Sequence, residues 1–156
     1  MSQLIIFNEL KTQLSAIAGI KHVALWNNQI ENESQENAFL YPCLFIQFTN
    51  DNFVDLLHGI QQFDSIITLH LGFESCLDED ASILTLKDLV YSTVHKTQNT
   101  TTSSELLRVG EVQNFDHPNV QLYELEFKTT IKDFGADKRA TTSAPVTVLT
   151  TPITVT

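Results

Sequence analysis

A strict alternation of side chains near the end of the chain constrains the fold more than any other feature. Within residues 120–132, every second position suits a buried face, and charged residues occupy positions between them. The first set is Tyr123, Leu125, Phe127, Thr129 and Ile131, and the second is Glu124, Glu126 and Lys128. Because successive side chains of a strand point to opposite faces, this pattern predicts an antiparallel sheet with one packed face and one solvated face.

Four other segments also have the composition of strands. They are residues 21–26, 43–49, 61–73 and 106–115, the last joined to 120–132 across the turn at 116–119. The third of these would reach about 40 Å at the usual rise per residue. That length is large for a small domain, so we expect a long hairpin that projects beyond its own core.

Two segments have the apolar period of helices that pack by one face. The repeating positions are Phe7, Leu10, Leu14 and Ile17 in the first, and Ile83, Leu86, Val90 and Val94 in the second. Ser2 is placed to cap the first helix, and Gly19 to end it. The order α-β-β-β-α-β-β, with both helices on one face of a mostly antiparallel sheet of about five strands, predicts a single α+β domain over residues 1–136.

Two segments fit no regular element. Asn27–Phe39 is a long polar loop, and such loops either take part in binding or are solvated excursions. Residues 137–156 carry no charge after Arg139 and are rich in Thr, Val and Pro, with Pro145 and Pro152 excluding a continuous central strand. This C-terminal arm is therefore either disordered or a strand that adds to the edge of a neighbouring sheet.

The charge of the chain is concentrated in one window. The formal net charge is −10, from 19 acidic and 9 basic residues, yet no Lys or Arg occurs between His22 and Leu86. We expect one acidic face, formed by Glu31, Glu33, Glu36, Asp51, Asp55, Asp64, Asp78, Glu79 and Asp80. Specific reading of duplex DNA and attachment to an anionic membrane both need a cationic surface, so this balance argues against them.

Signatures of chemistry are sparse. Cys43 and Cys76 match no zinc or redox spacing, and two cysteines suit a reducing compartment in which they stay unpaired. His70 and Glu74 would lie about 13 Å apart on one strand, too far for one metal ion. The start of the chain lacks the features of a secretory signal, and no segment is apolar over the length of a bilayer. We expect no enzyme, no metal and no cofactor, and synthesis in a bacterial cytoplasm.

The order of elements resembles that of the bacteriophage tail terminator (tail completion) and neck proteins. The likeness covers about residues 4–134 and is one of pattern. Its segments are the helix 7–17, the strand "YPCLFIQF" at 41–48, the strand end "LHLGFE" at 69–74, the helix 83–95 and the paired strands 106–115 and 120–132.

This resemblance implies a virion protein that forms a ring, usually a hexamer, which caps the tail tube and joins it to the head connector. Its partners would be further copies of itself, tail-tube proteins and head-connector proteins, with DNA only passing through the lumen. We expect subunit contacts at the projecting hairpin and the arm, through Phe53, Val54, Leu56, Leu57, Val146, Val148, Ile153 and Val155.

Two functions of other classes stay open. In a small-molecule or regulatory binding module, the sheet and the loop Asn27–Phe39 would enclose a ligand, and the protein would be a monomer or a dimer. An enzyme subunit with a degenerate site is the third alternative. The oligomeric state separates the first alternative from a ring.

Overall fold

The computed structural model describes residues 2–30, 39–74, 80–116 and 119–136. Its elements are α1 (Ser2–Ser15), β1 (His22–Leu25), β2 (Cys43–Asp55), a short 3-10 turn (Leu57–Gly59), β3 (Gln61–Glu74), α2 (Asp80–Val94), β4 (Leu107–Asn114) and β5 (Val120–Asp133). Two helices and a five-stranded sheet confirm the predicted α+β class and the predicted order of elements. Neither described helix has the length and apolar composition needed to cross a membrane.

The sheet has the strand order β1-β2-β3-β5-β4. At its centre, β3 and β5 pair antiparallel over their whole length, from Gln61 opposite Asp133 to Glu74 opposite Val120. The pairs β2–β3 and β4–β5 are also antiparallel, whereas β1 runs parallel to β2. The sheet is therefore mixed, although mostly antiparallel as predicted.

Both helices pack on one face of the sheet, which we call the inner face. The alternation predicted for β5 is confirmed, because Leu125, Phe127 and Ile131 are fully buried there against apolar residues of β2, β3 and both helices. All four predicted apolar positions of α2 are buried as well. The main core thus lies between the inner face and the two helices.

The opposite, outer face is covered at one end, where a fully solvated face had been expected. The two ends of the predicted loop Asn27–Phe39 fold back over it and form a second apolar cluster with the ends of three strands. Its members are Ile30, Cys43, Phe45, Val120 and Leu122, with Ala24, Trp26, Phe39 and Tyr41 packed against them. Gly72 permits this close approach, because a Cβ there would lie 3.3 Å from the side chains of both Ile30 and Tyr41.

The structure corrects two boundaries. Strand β2 continues to Asp55, beyond the predicted end at Thr49, because its pairing with β3 resumes after an irregularity between Asp51 and Val54. Helix α1 ends at Ser15 and buries Ile6, which the predicted face omitted.

Two predictions about the ends of α1 have different outcomes. Gly19 was predicted to end the helix; it has the expected positive φ of +104°, but it lies in the chain reversal beyond Ser15, where the helix ends. The Ser2 side chain was predicted to cap the helix, but its hydroxyl donates to Asp133 Oδ1 at 3.1 Å and so ties the helix start to the end of β5.

Truncation of a side chain at the centre of the inner face should strongly destabilise the fold. Leu69 of β3 is fully buried between neighbouring strands and helices. We expect Leu69→Ala to lower the free energy of unfolding by about 2–5 kcal/mol, because it removes buried methyl groups and leaves a cavity. Urea denaturation followed by circular dichroism measures this change. The exposed Leu84 of α2 is the control, and Leu84→Ala should change the same quantity by less than about 0.5 kcal/mol.

Candidate interaction surfaces

The end of the β2–β3 hairpin, residues 51–60, is the first candidate surface, and we call it the tip. Its shape comes from the irregularity in β2, where Asn52 has a φ of 53°, and from a tight turn in which the Leu56 N–H donates to the Ile60 carbonyl at 2.7 Å. Residues 51–59 are all exposed. The hairpin therefore presents its end to solvent, as the sequence predicted.

Four apolar side chains of the tip are exposed. They are Phe53, Val54, Leu56 and Leu57, the four described members of the predicted subunit interface. The Phe53 ring stacks on the buried Phe63 ring, with centroids 4.8 Å apart, which fixes the direction of the patch. Contiguous exposed apolar side chains on a rigid element are typical of a surface that binds another protein.

Carboxylates accompany this apolar patch. Asp51 and Asp55 are exposed in the tip, and Asp51 lies opposite Asp64 in the β2–β3 register. The Thr130 hydroxyl, 3.0 Å from Asp64 Oδ1, lowers the pKa of that carboxyl, and the Asn52 amide, 3.3 Å from Oδ2, adds to this effect. Lys128 Nζ lies 3.6 Å from Asp64. Asp64 is thus paired, whereas Asp51 and Asp55 give the tip its negative charge.

A groove of about 520 Å³ at the other end of the sheet is the second candidate surface. It lies between the chain reversal after α1, the start of β2, the end of β3 and the first turns of α2. Its described lining consists of Ala18, Gly19, Lys21, Pro42, Phe73, Ala81, Ser82, Ile83, Thr85, Leu86 and Leu89. Lys21 is the one charged residue in this described lining, so the groove is an apolar depression beside a cation.

A row of polar side chains crosses the middle of the outer face. His70 of β3 is 5% exposed, and its Nε2 lies 2.7 Å from the amide oxygen of Gln47. On the other side, His70 Nδ1 is 3.7 Å from Glu124, which also accepts a hydrogen bond from Asn114 at 3.2 Å. The Trp26 ring stacks on the imidazole with centroids 4.0 Å apart. Burial lowers the pKa of His70, and the Glu124 carboxylate partly opposes this shift.

The sequence placed His70 on a mixed face but missed its partners. It considered Glu74 as a partner, whereas the structure pairs His70 with Glu124 across the β3–β5 register. That register joins residues 54 positions apart, and nothing in the spacing of a single strand reveals it. Phe45 lies opposite His70 in the β2–β3 register, and Gln47 is two positions further along the same face of β2.

Several predicted residues lie outside the described part of the chain. They are Glu31, Glu33, Glu36, Asp78 and Glu79 of the acidic face, Val146, Val148, Ile153 and Val155 of the arm, Cys76, and His117 and Pro118 of the hairpin turn. Asp80 is the first residue of α2, and the structure describes its backbone only. One continuous acidic face therefore stays a prediction, as does the unpaired state of the cysteines. No group of three or more metal-binding side chains occurs among the residues described.

Comparisons with known proteins find similarity at the level of structure. No protein-family model matches the chain, and no curated protein sequence matches it significantly. The structure is similar to a chain of a solved assembly described as "Virion of native gene transfer agent (GTA) particle", with a TM-score of 0.47 and 10% sequence identity. The match covers 80% of this chain and 92% of that one. So low an identity transfers no residue role from one chain to the other.

The buried imidazole makes the stability of the fold depend on pH. Because burial lowers the pKa of His70 below the usual value for histidine, about 6.5, the unfolded chain takes up this proton first as the pH falls. We expect the free energy of unfolding to decrease below about pH 6.5, with a slope from this residue of at most about 1.4 kcal/mol per pH unit. Urea denaturation at pH 7.5, 6.5 and 5.5 measures it.

The variant His70→Gln should show a smaller pH slope than the wild type over the same range. His58→Gln is the matched control, because His58 lies exposed in the tip, and it should keep the wild-type slope. Equal slopes for the wild type and His70→Gln would contradict the expectation.

Proposed function

We propose that this protein is a structural component of a phage-like virion, of the tail terminator type. In this role it forms a ring of identical subunits, a hexamer in the resembled family, that caps the tail tube, contacts the head connector and leaves a lumen for DNA. The function is geometric and requires no cofactor. Assembly takes place in the bacterial host cytoplasm, and the product belongs to the virion.

The exposed apolar tip is the observation that carries this proposal. Strands β2 and β3, of 13 and 14 residues, form a hairpin. The end of this hairpin holds four apolar side chains exposed to solvent, those of Phe53, Val54, Leu56 and Leu57. Leaving such side chains in water is unfavourable by about 25 cal/mol for each Å² of apolar surface. A subunit that buries them against a neighbour recovers this free energy, which favours an assembling protein over a monomeric one.

The C-terminal arm begins beside the tip. The carbonyl oxygen of Ala136, the last described residue, lies so close to Gly59 that a Cβ on this glycine would collide with it. An arm that starts at residue 137 is therefore delivered to the same surface as the apolar tip. We propose that the arm, through Val146, Val148, Ile153 and Val155, contributes to the contact with the next subunit.

The acidic side chains suit a path for DNA. The window from His22 to Leu86 contains ten acidic residues and neither Lys nor Arg. A negatively charged lumen repels the phosphates of DNA, so the polymer passes without being held. The proposal places the acidic side of each subunit toward that lumen.

The small-molecule module has less support in the described geometry. It required the loop Asn27–Phe39 and the sheet to enclose a ligand. The described ends of that loop instead pack directly on the sheet, with the Phe39 and Trp26 rings 5.1 Å and 5.8 Å from the Phe45 ring. Packed aromatic side chains occupy the space that a ligand would need there.

A charge placed in the apolar tip should block assembly without unfolding the subunit. We expect the wild type to form a ring, alone or with tail-tube protein, and Leu57→Asp to raise the dissociation constant between subunits by about 30-fold or more. The reason is that burying an unpaired charge at a central contact costs at least about 2 kcal/mol. Size-exclusion chromatography with light scattering measures the oligomeric state.

The control for this variant is Phe115→Asp, at the end of the β4–β5 hairpin. Leu57 and Phe115 are 82% and 80% exposed, so both substitutions disturb the isolated subunit equally little. Phe115→Asp should assemble as the wild type does. A wild type that stays monomeric at high concentration, and also with tail-tube protein present, would contradict the proposed function.

Removal of the arm tests its role separately. We expect a chain truncated after Ala136 to assemble more weakly, while its free energy of unfolding changes by less than about 0.5 kcal/mol. The reason is that the main cluster between the helices and the inner face is built from residues 6–131. Thermal melting and light scattering measure the two quantities. Loss of the cooperative melting transition would show instead that the arm packs on its own domain.

A further inference from the structure

We propose that the groove beside Gly19 receives the tip of a second copy of this chain, so that subunits join tip to groove. This inference rests on the proposed ring and names the two surfaces that meet in it. The occupant is the tip of another subunit, with Leu57 as the side chain that enters the groove.

The groove has the composition that an apolar tip requires. Its described lining is apolar or small except for Lys21 and two hydroxyl residues of α2, and Phe73 and Leu86 are buried beneath it. Leu89 lines the groove and is 45% exposed, so its side chain is available to an incoming apolar group. A volume of about 520 Å³ exceeds what one leucine needs, and it lies within the range of pockets that enclose a ligand, about 300–1,000 Å³.

The tip is apolar at its turn and carries carboxylates beside it. Leu57 is the most exposed of the large apolar residues described, and it lies at the outermost turn of the hairpin. Asp51 and Asp55 lie at the end of β2, before the turn, and the Gln61 amide donates a hydrogen bond of 2.9 Å to the Asp55 carboxylate. When Leu57 enters the groove, the Lys21 ammonium in the groove lining can form an ion pair with one of these carboxylates. An apolar contact with one ion pair at its margin results.

The positions of the two surfaces determine the kind of assembly. The tip lies at the Gln61 end of β3 and the groove at the Phe73 end, so about 40 Å of strand separates them. Two different surfaces at opposite ends of one subunit give a head-to-tail contact, which continues from copy to copy and closes into a ring when the rotation between neighbours allows it. A ring is the closed product of such a contact, and each subunit then uses its tip and its groove once.

The first test changes the groove and leaves the tip intact. We expect Leu89→Asp to reduce assembly at least tenfold, measured as the subunit concentration needed for half-maximal ring formation by light scattering. Leu84→Asp is the matched control, because Leu84 lies on the same helix, is 50% exposed and does not line the groove as described. It should assemble as the wild type does. Equal assembly of Leu89→Asp and the wild type overturns the inference.

The second test traps the contact directly. Full-length Leu57→Cys and full-length Leu89→Cys, each with Cys76→Ser, are mixed and oxidised, and peptide mass spectrometry identifies the disulfides. We expect a disulfide between positions 57 and 89, while the control mixture of Leu57→Cys with Leu84→Cys gives none between 57 and 84. The remaining native Cys43 is buried and so protected from the oxidant. A yield for 57–89 no higher than for the control overturns the inference.

The two proposals fail in different ways. If the wild type and Leu89→Asp both form rings, and the 57–89 disulfide does not form, then the tip-to-groove contact is disproved and the proposed function stands. A wild type that never assembles disproves both.

Discussion

The antiparallel pairing of β3 with β5 is the constraint on which the rest of the structure depends. Each strand contributes 14 residues, and the register is continuous from one end of the sheet to the other. This register sets which side chains share the inner face, so it decides where both helices can pack. It also brings His70 beside Glu124 and fixes the distance between tip and groove. A slip of one residue would turn every one of these side chains to the other face.

Much of this arrangement follows from local patterns. The alternation of β5 and the period of α2 are strong signals, because each repeats over several turns or pleats, and the structure confirms both. The boundaries of β2 were less predictable. The polar stretch from Thr49 to Asn52 has the composition of a loop, yet the neighbouring strand supplies partners that keep it extended beyond its irregularity.

The outer face shows why part of the candidate surfaces could not be predicted. Trp26, Ile30 and Phe39 are apolar residues at the ends of a polar segment, and they pack over the sheet. The burial of Ile30 depends on Gly72, which leaves room on a strand far away in sequence. The groove has the same origin, since its walls come from the end of α1, the start of β2 and α2. The tip differs, because a long hairpin with apolar residues near its turn is visible in one continuous segment. Sequence therefore predicted the projecting surface and missed the groove.

The stacking of Trp26 on His70 has a practical consequence. Trp26 is the single tryptophan of the chain, and it lies over the outer face, away from the core that the helices cover. Its fluorescence emission therefore reports the environment of the outer cluster alone, while circular dichroism reports the helices and strands together. The molecule carries an intrinsic optical probe that can reveal whether its two apolar clusters unfold in one step or separately.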